Sequence, residues 1–171
     1  LTHQKLKFLY KVLPYLSLIP TIKLIAITGS LAMENARQKD DIDIMMITDS
    51  NTLWITRPIV FLLLKCLKLR RPQSTNQTDK VNNKICDNLW LDIQALKVPP
   101  YKQNLYTAHE VLQIKPVLNR NNVYEHFIIQ NSWVKKHLAN AYSQTTAKFP
   151  KTKAISPQSG GILSSLNKFA F

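Results

Sequence analysis

The sequence predicts an α+β (α/β) domain, with helices flanking a small β-sheet, helices closing the C-terminal side and a flexible tail beyond them. Three observations carry that expectation. Short β-branched or apolar runs, KLIAIT, DIDIMMIT and the NLWLDI stretch, alternate with longer runs of helical periodicity. Length and composition suit one folded unit, since 171 residues, 45% of them hydrophobic and 19% charged, can bury a real core. Finally, the chain has three glycines, and Gly29 alone precedes the Gly160 and Gly161 pair, so turns elsewhere are built from other residues.

Taken in order, residues 3–18 place Leu6, Leu9, Tyr10, Leu13 and Leu16 or Ser17 at helical spacing, with Lys5, Lys7 and Lys11 elsewhere on the wheel. That pattern predicts an amphipathic helix, bent or ended near Pro14. KLIAIT then reads as a strand running into a turn at Gly29 and Ser30 and a short helix over about 30–35. In DIDIMMIT the period of two puts Asp41, Asp43, Met45 and Ile47 on one face and Ile42, Ile44 and Met46 on the other. A long apolar helix is expected over about 52–69, with Pro58 in its first turns and Lys65, Lys68, Arg70 and Arg71 at its basic end. Residues 72–83 are polar and read as a loop or flap. KICDNLWLDIQAL gives a third strand, with Asn88, Trp90 and Asp92 on one face and Asp87, Leu89, Leu91 and Ile93 on the other. Two helices follow, over about 105–114 and 123–138, so the expected division is a folded domain over 1–140 and a mobile tail over 141–171.

Charge and composition narrow the function. A net charge of +13 favours polyanionic partners, nucleotides or nucleic acid touched through a basic surface. The longest unbroken apolar run, residues 59–64, falls far short of the roughly 20 residues that a membrane-spanning helix requires. The basic N-terminal stretch lacks the long apolar segment of a secretory signal, so no membrane association and a cytoplasmic location are expected. Cys66 and Cys86 form no CxxC pair, which predicts a reducing compartment and no metal-thiolate site. His109 and Glu110 begin what would be a helical zinc motif, but Gln113 stands where its second His belongs. Trp54, Trp90, Trp133 and the Leu-rich face of the third helix are expected in the core.

The acidic residues are the informative ones. None precedes Glu34, and Glu34, Asp40, Asp41 and Asp43 then crowd into ten residues of a basic chain. Two same-face carboxylates on an Ile- and Met-rich strand repel one another, an arrangement that makes physical sense around a divalent cation. Gly29 permits a positive φ and a close backbone approach, and Ser30 adds a hydroxyl donor, so the turn before the short helix is a candidate phosphate site.

With those residues in view, ITGSLAMENARQKDDIDIMM resembles the motif of the nucleotidyltransferase superfamily of the DNA polymerase beta type: an apolar residue, Gly, Gly or Ser, a gap, then Asp, apolar, Asp or Glu, apolar. Residues 19–138, through DDIDIMMIT, NTLWITR, NLWLD, NLYTAHEVLQIKP and NSWVKKHL, also look like uncharacterised bacterial nucleotidyltransferase-domain proteins. The chain departs from the pattern at Glu34, where many members have Gly, and at Asp40, where Ser is common. The resemblance implies a small mixed sheet flanked by helices. It also implies metal-dependent transfer of a nucleoside monophosphate from an NTP donor to an acceptor hydroxyl, with pyrophosphate leaving. Gly29 and Ser30 would bind the phosphates, aided by Arg57 and Lys65, and Asp41 and Asp43 would hold Mg²⁺ or Mn²⁺. The third carboxylate of the family, a catalytic and metal-binding group on a neighbouring strand, falls to Asp92, with Asp87 as the fallback. The acceptor, a small molecule, an RNA end or a protein, is left open. So are two other roles, a non-catalytic nucleotide- or nucleic-acid-binding module and an antitoxin-like partner of a toxin.

Overall fold

The computed structural model describes residues 2–37, 40–70 and 84–150. The loop expected over 72–83 and the part of the expected tail from 151 onward lie outside the described residues. Four strands form one sheet in the order β3-β2-β1-β4, where β1 is Ile22–Ile27, β2 Ile42–Thr48, β3 Ile85–Asp92 and β4 Lys115–Asn119. Strand β1 pairs antiparallel with β2 and with β4, while β2 pairs parallel with β3, so the sheet is mixed and the α+β expectation holds.

Strand alternation divides the core into two layers. Ile25, Ile27, Ile42, Ile44, Met46 and Trp90 face one side, where helix α1 (Thr2–Ser17) contributes Leu9, Val12 and Leu16 and helix α3 (Leu53–Cys66) contributes Leu53, Val60 and Leu64. Leu24, Ala26, Met45, Ile47 and Leu91 face the other. They are covered by α4 (Leu105–Gln113), α5 (Val123–Gln130) and α6 (Lys135–Thr146) through Ala108, Val111, Phe127, Ile128 and Tyr142. Each such Val, Leu, Ile or Phe contributes about 1.5 to 3 kcal/mol when taken from water. Among the described residues no helix is long and apolar enough to cross a membrane.

Several elements differ from expectation for identifiable reasons. Helix α1 runs through Pro14 rather than ending at it, and Ser17 Oγ donates to Pro14 O on the last turn. Strand β4 is an element that hydrophobic periodicity misses, because it is short, polar at both ends and contains Pro116, a residue tolerated at sheet edges. The single helix expected over 123–138 is broken at Asn131, which is buried. Its side-chain amide donates to Leu96 O and Phe127 O and its Oδ1 accepts from Val98 N and Trp133 Nε1, so a short 3₁₀ turn separates α5 from α6. The expected domain edge at 140 falls inside α6, whose Tyr142 is buried. Trp54, expected in the core, is 60% exposed, because α3 buries only one side and turns Trp54, Ile55, Ile59 and Leu62 outward.

The largest correction concerns Asp92. In the parallel β2/β3 ladder Asp43 is opposite Cys86 and Thr48 is opposite Asp92, so Asp92 stands five residues along, roughly 16 Å from the level of Asp43. A register shift after Asp43 adds a residue to β3 and reverses its alternation, so Trp90 packs with Met46 on the face opposite Asp43. Asp92 is buried, and both its oxygens serve the backbone: Oδ2 accepts from Asn51 N at 2.7 Å and Oδ1 from Gln94 N at 2.9 Å. It is a turn-holding residue. Asp92→Ala leaves two backbone N–H groups without these acceptors and should lower unfolding free energy by about 2 to 4 kcal/mol in urea denaturation; a loss under about 1 kcal/mol would contradict this role.

Candidate functional site

The site begins where β1 ends. Thr28 N donates to Asp43 O at 3.0 Å, which binds the end of β1 to the start of β2. Gly29 then turns the chain with φ +60, and a Cβ at that position would lie 2.6 Å from Asp43 Oδ2. Both facts disfavour a side chain there: the conformation is left-handed, and a Cβ would require the Asp43 carboxylate to shift. Helix α2 (Gly29–Ala32) follows and is shorter than expected. Glu34 ends the segment with φ 58, the conformation that a glycine supplies most readily, and Asn35 N returns to Ser30 O at 3.0 Å. The Glu34 side chain reaches Lys115 Nζ at 2.6 Å, a hydrogen-bonded pair that holds its carboxyl below the usual range.

Ser30 and Asp40 are joined directly. Ser30 Oγ donates to Asp40 Oδ2 at 3.0 Å, and Arg37 N donates to the same oxygen at 2.8 Å. The Arg37 backbone N–H is the main cause of an Asp40 carboxyl held below its ordinary value, aided by the Ser30 hydroxyl and by Lys5 and Arg37, while partial burial opposes them. The buried Lys5 of α1 donates its ammonium to the Asp40 carbonyl. The hydroxyl expected to bind phosphate therefore donates to a neighbouring carboxylate in this arrangement, and α1 clamps the chain just ahead of the aspartates.

Asp41 and Asp43 come next, both half-buried, and their carboxylate oxygens lie together with Cys86 Sγ within 4.8 Å of one another. Two unit charges at that separation repel by about 3 to 4 kcal/mol at an effective dielectric of roughly 20, which a bound divalent cation offsets. The turn at Gly29 and the Asp41 and Asp43 pair are thus close together. The third carboxylate is not. Asp92 lies at the far end of β3, and Asp87 is buried in an ion pair with Arg70 Nε at 3.0 Å. Asp87 neighbours Cys86 on the strand and so takes the opposite face, where the Arg70 guanidinium stands 4.4 Å from the Phe61 ring of α3.

The expected phosphate cations are not gathered either. Arg57 and Lys65 belong to α3, whose buried side chains Leu53, Val60 and Leu64 pack on the sheet face away from Asp43. Lys65 is exposed, with its ammonium 5.8 Å from the Phe61 ring centroid. What sequence reading missed is Cys86. Its signal was its place at the start of β3, but only the strand register sets it opposite Asp43.

No protein-family model matches this chain. No curated protein matches it either. Among solved structures, a toxin-antitoxin with AMP-PNP is 16% identical over 82% of this chain and 94% of that chain, with a TM-score of 0.39. A tri-AMPylated Shewanella oneidensis HEPN toxin in complex with MNT antitoxin gives 16% identity over 86% and 97%, with a TM-score of 0.36. The toxin-antitoxin MntA-HepT gives 15% over 85% and 93%, with a TM-score of 0.32. Identities and TM-scores this low leave the activity of this chain to be read from its own residues.

The contact between Gly29 and Asp43 is directly testable. Gly29→Ala should lower stability by about 1 to 2 kcal/mol from the left-handed conformation alone, and should also displace the Asp43 carboxylate. Thermal unfolding measured with calorimetric Mg²⁺ or Mn²⁺ binding checks both effects, and a variant that binds metal like the wild type would show that the contact does not matter.

Proposed function

We propose that this chain is a metal-dependent nucleotidyltransferase that uses the Gly29 turn and the Asp41 and Asp43 pair to bind a nucleoside triphosphate with its divalent cation. The observation that carries the reading is the close approach itself: a glycine turn where a Cβ would crowd the Asp43 carboxylate, with an Asp41 oxygen within 4.8 Å of one from Asp43. The donor set fits a divalent ion, since two half-buried carboxylates supply the charge and oxygen atoms that Mg²⁺ or Mn²⁺ takes. Such an ion, held by Asp41 and Asp43, would neutralise phosphate charge during transfer.

In the reaction the acceptor oxygen forms a bond to the α-phosphorus as the bond from that phosphorus to the leaving pyrophosphate breaks, and the acceptor hydroxyl's proton passes to solvent. Asp43 and Asp41 would place the charge, Gly29 would let the backbone approach, and Ser30, once released from Asp40, would offer its hydroxyl to the phosphates. A second reading has an observation of its own. Neither Asp92 nor Asp87 reaches the pair, so nucleotide binding without transfer is the alternative, and a transfer assay separates the two.

Calorimetric titration with ATP, GTP, CTP and UTP, with and without Mg²⁺, should show metal-dependent binding of at least one nucleotide in the wild type and its loss in Asp43→Ala. Absence of metal-dependent binding to all four would sink the proposal. Asp40→Ser releases the Ser30 hydroxyl and removes a negative charge beside it; it should tighten nucleotide binding by roughly 2- to 10-fold, the worth of one hydrogen bond. Incubation with labelled nucleotide and cell extract then distinguishes transfer, seen as a labelled acceptor, from binding alone.

A further inference from the structure

Cys86 lies on the strand beside the aspartate pair, where neither Asp92 nor Asp87 reaches. It is opposite Asp43 in the parallel ladder, so the two side chains stand on one face. Its Sγ and an oxygen from each of Asp41 and Asp43 lie within 4.8 Å of one another. The thiol is half-buried and in no disulfide. Both other β3 carboxylates are committed elsewhere, Asp92 to two backbone N–H groups and Asp87 to Arg70. The Gly29 turn adjoins the same donors, since a Cβ there would lie 2.6 Å from Asp43 Oδ2.

Resting on the reading of Asp41 and Asp43 as a metal pair, we infer that Cys86 is the third ligand of this site and sets its preference toward borderline and soft divalent ions over Mg²⁺. Hard oxygen donors suit Mg²⁺ and Mn²⁺, whereas a thiolate favours Zn²⁺, Co²⁺ and Cd²⁺. Two carboxylates and one sulfur are a mixed set that the second group of ions accepts and Mg²⁺ uses only in part. On ligation the S–H bond gives way to a metal–sulfur bond, and the proton leaves to solvent.

The test uses the full chain and the metal ions alone. Co²⁺ added to the wild type should produce a near-ultraviolet sulfur-to-metal charge-transfer band, absent in Cys86→Ser and in Asp43→Ala. Cd²⁺ should protect Cys86 from iodoacetamide in the wild type but not in Asp43→Ala, with the exposed Cys66 as the internal reference. By calorimetry, Cys86→Ser should lower Cd²⁺ affinity by at least about tenfold and change Mg²⁺ affinity by less than about threefold. Cys86→Asp should move the ratio the other way, tightening Mg²⁺. Circular dichroism establishes that both variants fold. The inference is overturned if Co²⁺ binds the wild type calorimetrically without the band, or if the band persists in Cys86→Ser; in either case the aspartate pair still stands as a metal site. If no divalent ion binds the wild type at all, the reading of the aspartate pair fails, and the inference with it.

Discussion

A carboxylate oxygen of Asp43 lies 2.6 Å from where a Cβ would stand at position 29, too close unless something shifts. That close approach organises the surrounding chain. The turn must take a positive φ, β1 must end beside the first residues of β2, and Thr28 N must reach Asp43 O to hold them there. Antiparallel pairing of β1 with β2, Ile27 opposite Ile44, delivers the two ends to one place. From the helical layer below, Lys5 fixes the Asp40 carbonyl, so the loop that enters β2 is held from two sides. The packed core sets these positions, and the site is a consequence of where two strands begin and end.

The same geometry concentrates like charge. Asp40, Asp41 and Asp43 are close in sequence, yet the fold gives them different environments. Asp40 is satisfied locally by the Arg37 N–H and the Ser30 hydroxyl, which keep it ionised at lower pH than an ordinary aspartate. Asp41 and Asp43 are turned toward Cys86 across the ladder. A basic chain of net charge +13 softens the long-range repulsion between them.

The turn at Gly29 and the pairing of Asp41 with Asp43 were legible in the sequence because they rest on local rules. A lone glycine between strand and helix, and alternation along a short strand, require no knowledge of partners. Asp92 was misread because its placement depends on two non-local facts, the direction in which β3 pairs and the residue that the register shift inserts. Counting by twos from Asp92 reaches Cys86 and puts both on one face; the shift separates them. For the same reason the thiol, dismissed for lacking a CxxC partner, could be placed beside the aspartates only through the strand register. Strand β4 was hidden by Pro116, and the break between α5 and α6 by Asn131, whose side-chain bonds to Leu96 O and Val98 N reach a segment distant in sequence.

The margins of the sheet also bear on how the molecule behaves in a crowded solution. An open sheet offers unpaired N–H and C=O groups along its outer strands, and such rims template fibrils. Here the rim of β4 contains a proline that donates no hydrogen bond, and its pairing with β1 is itself shifted between Ile25 and Ala26. The rim of β3 carries the residue inserted after Cys86, and the chain at Leu69 and Arg70 lies along its start, with Ile85 N donating to Leu69 O. Irregularities that confounded the counting of faces are thus the features that make polymerisation by strand addition unfavourable, so the distortion that brings a thiol to the aspartates also blunts one rim.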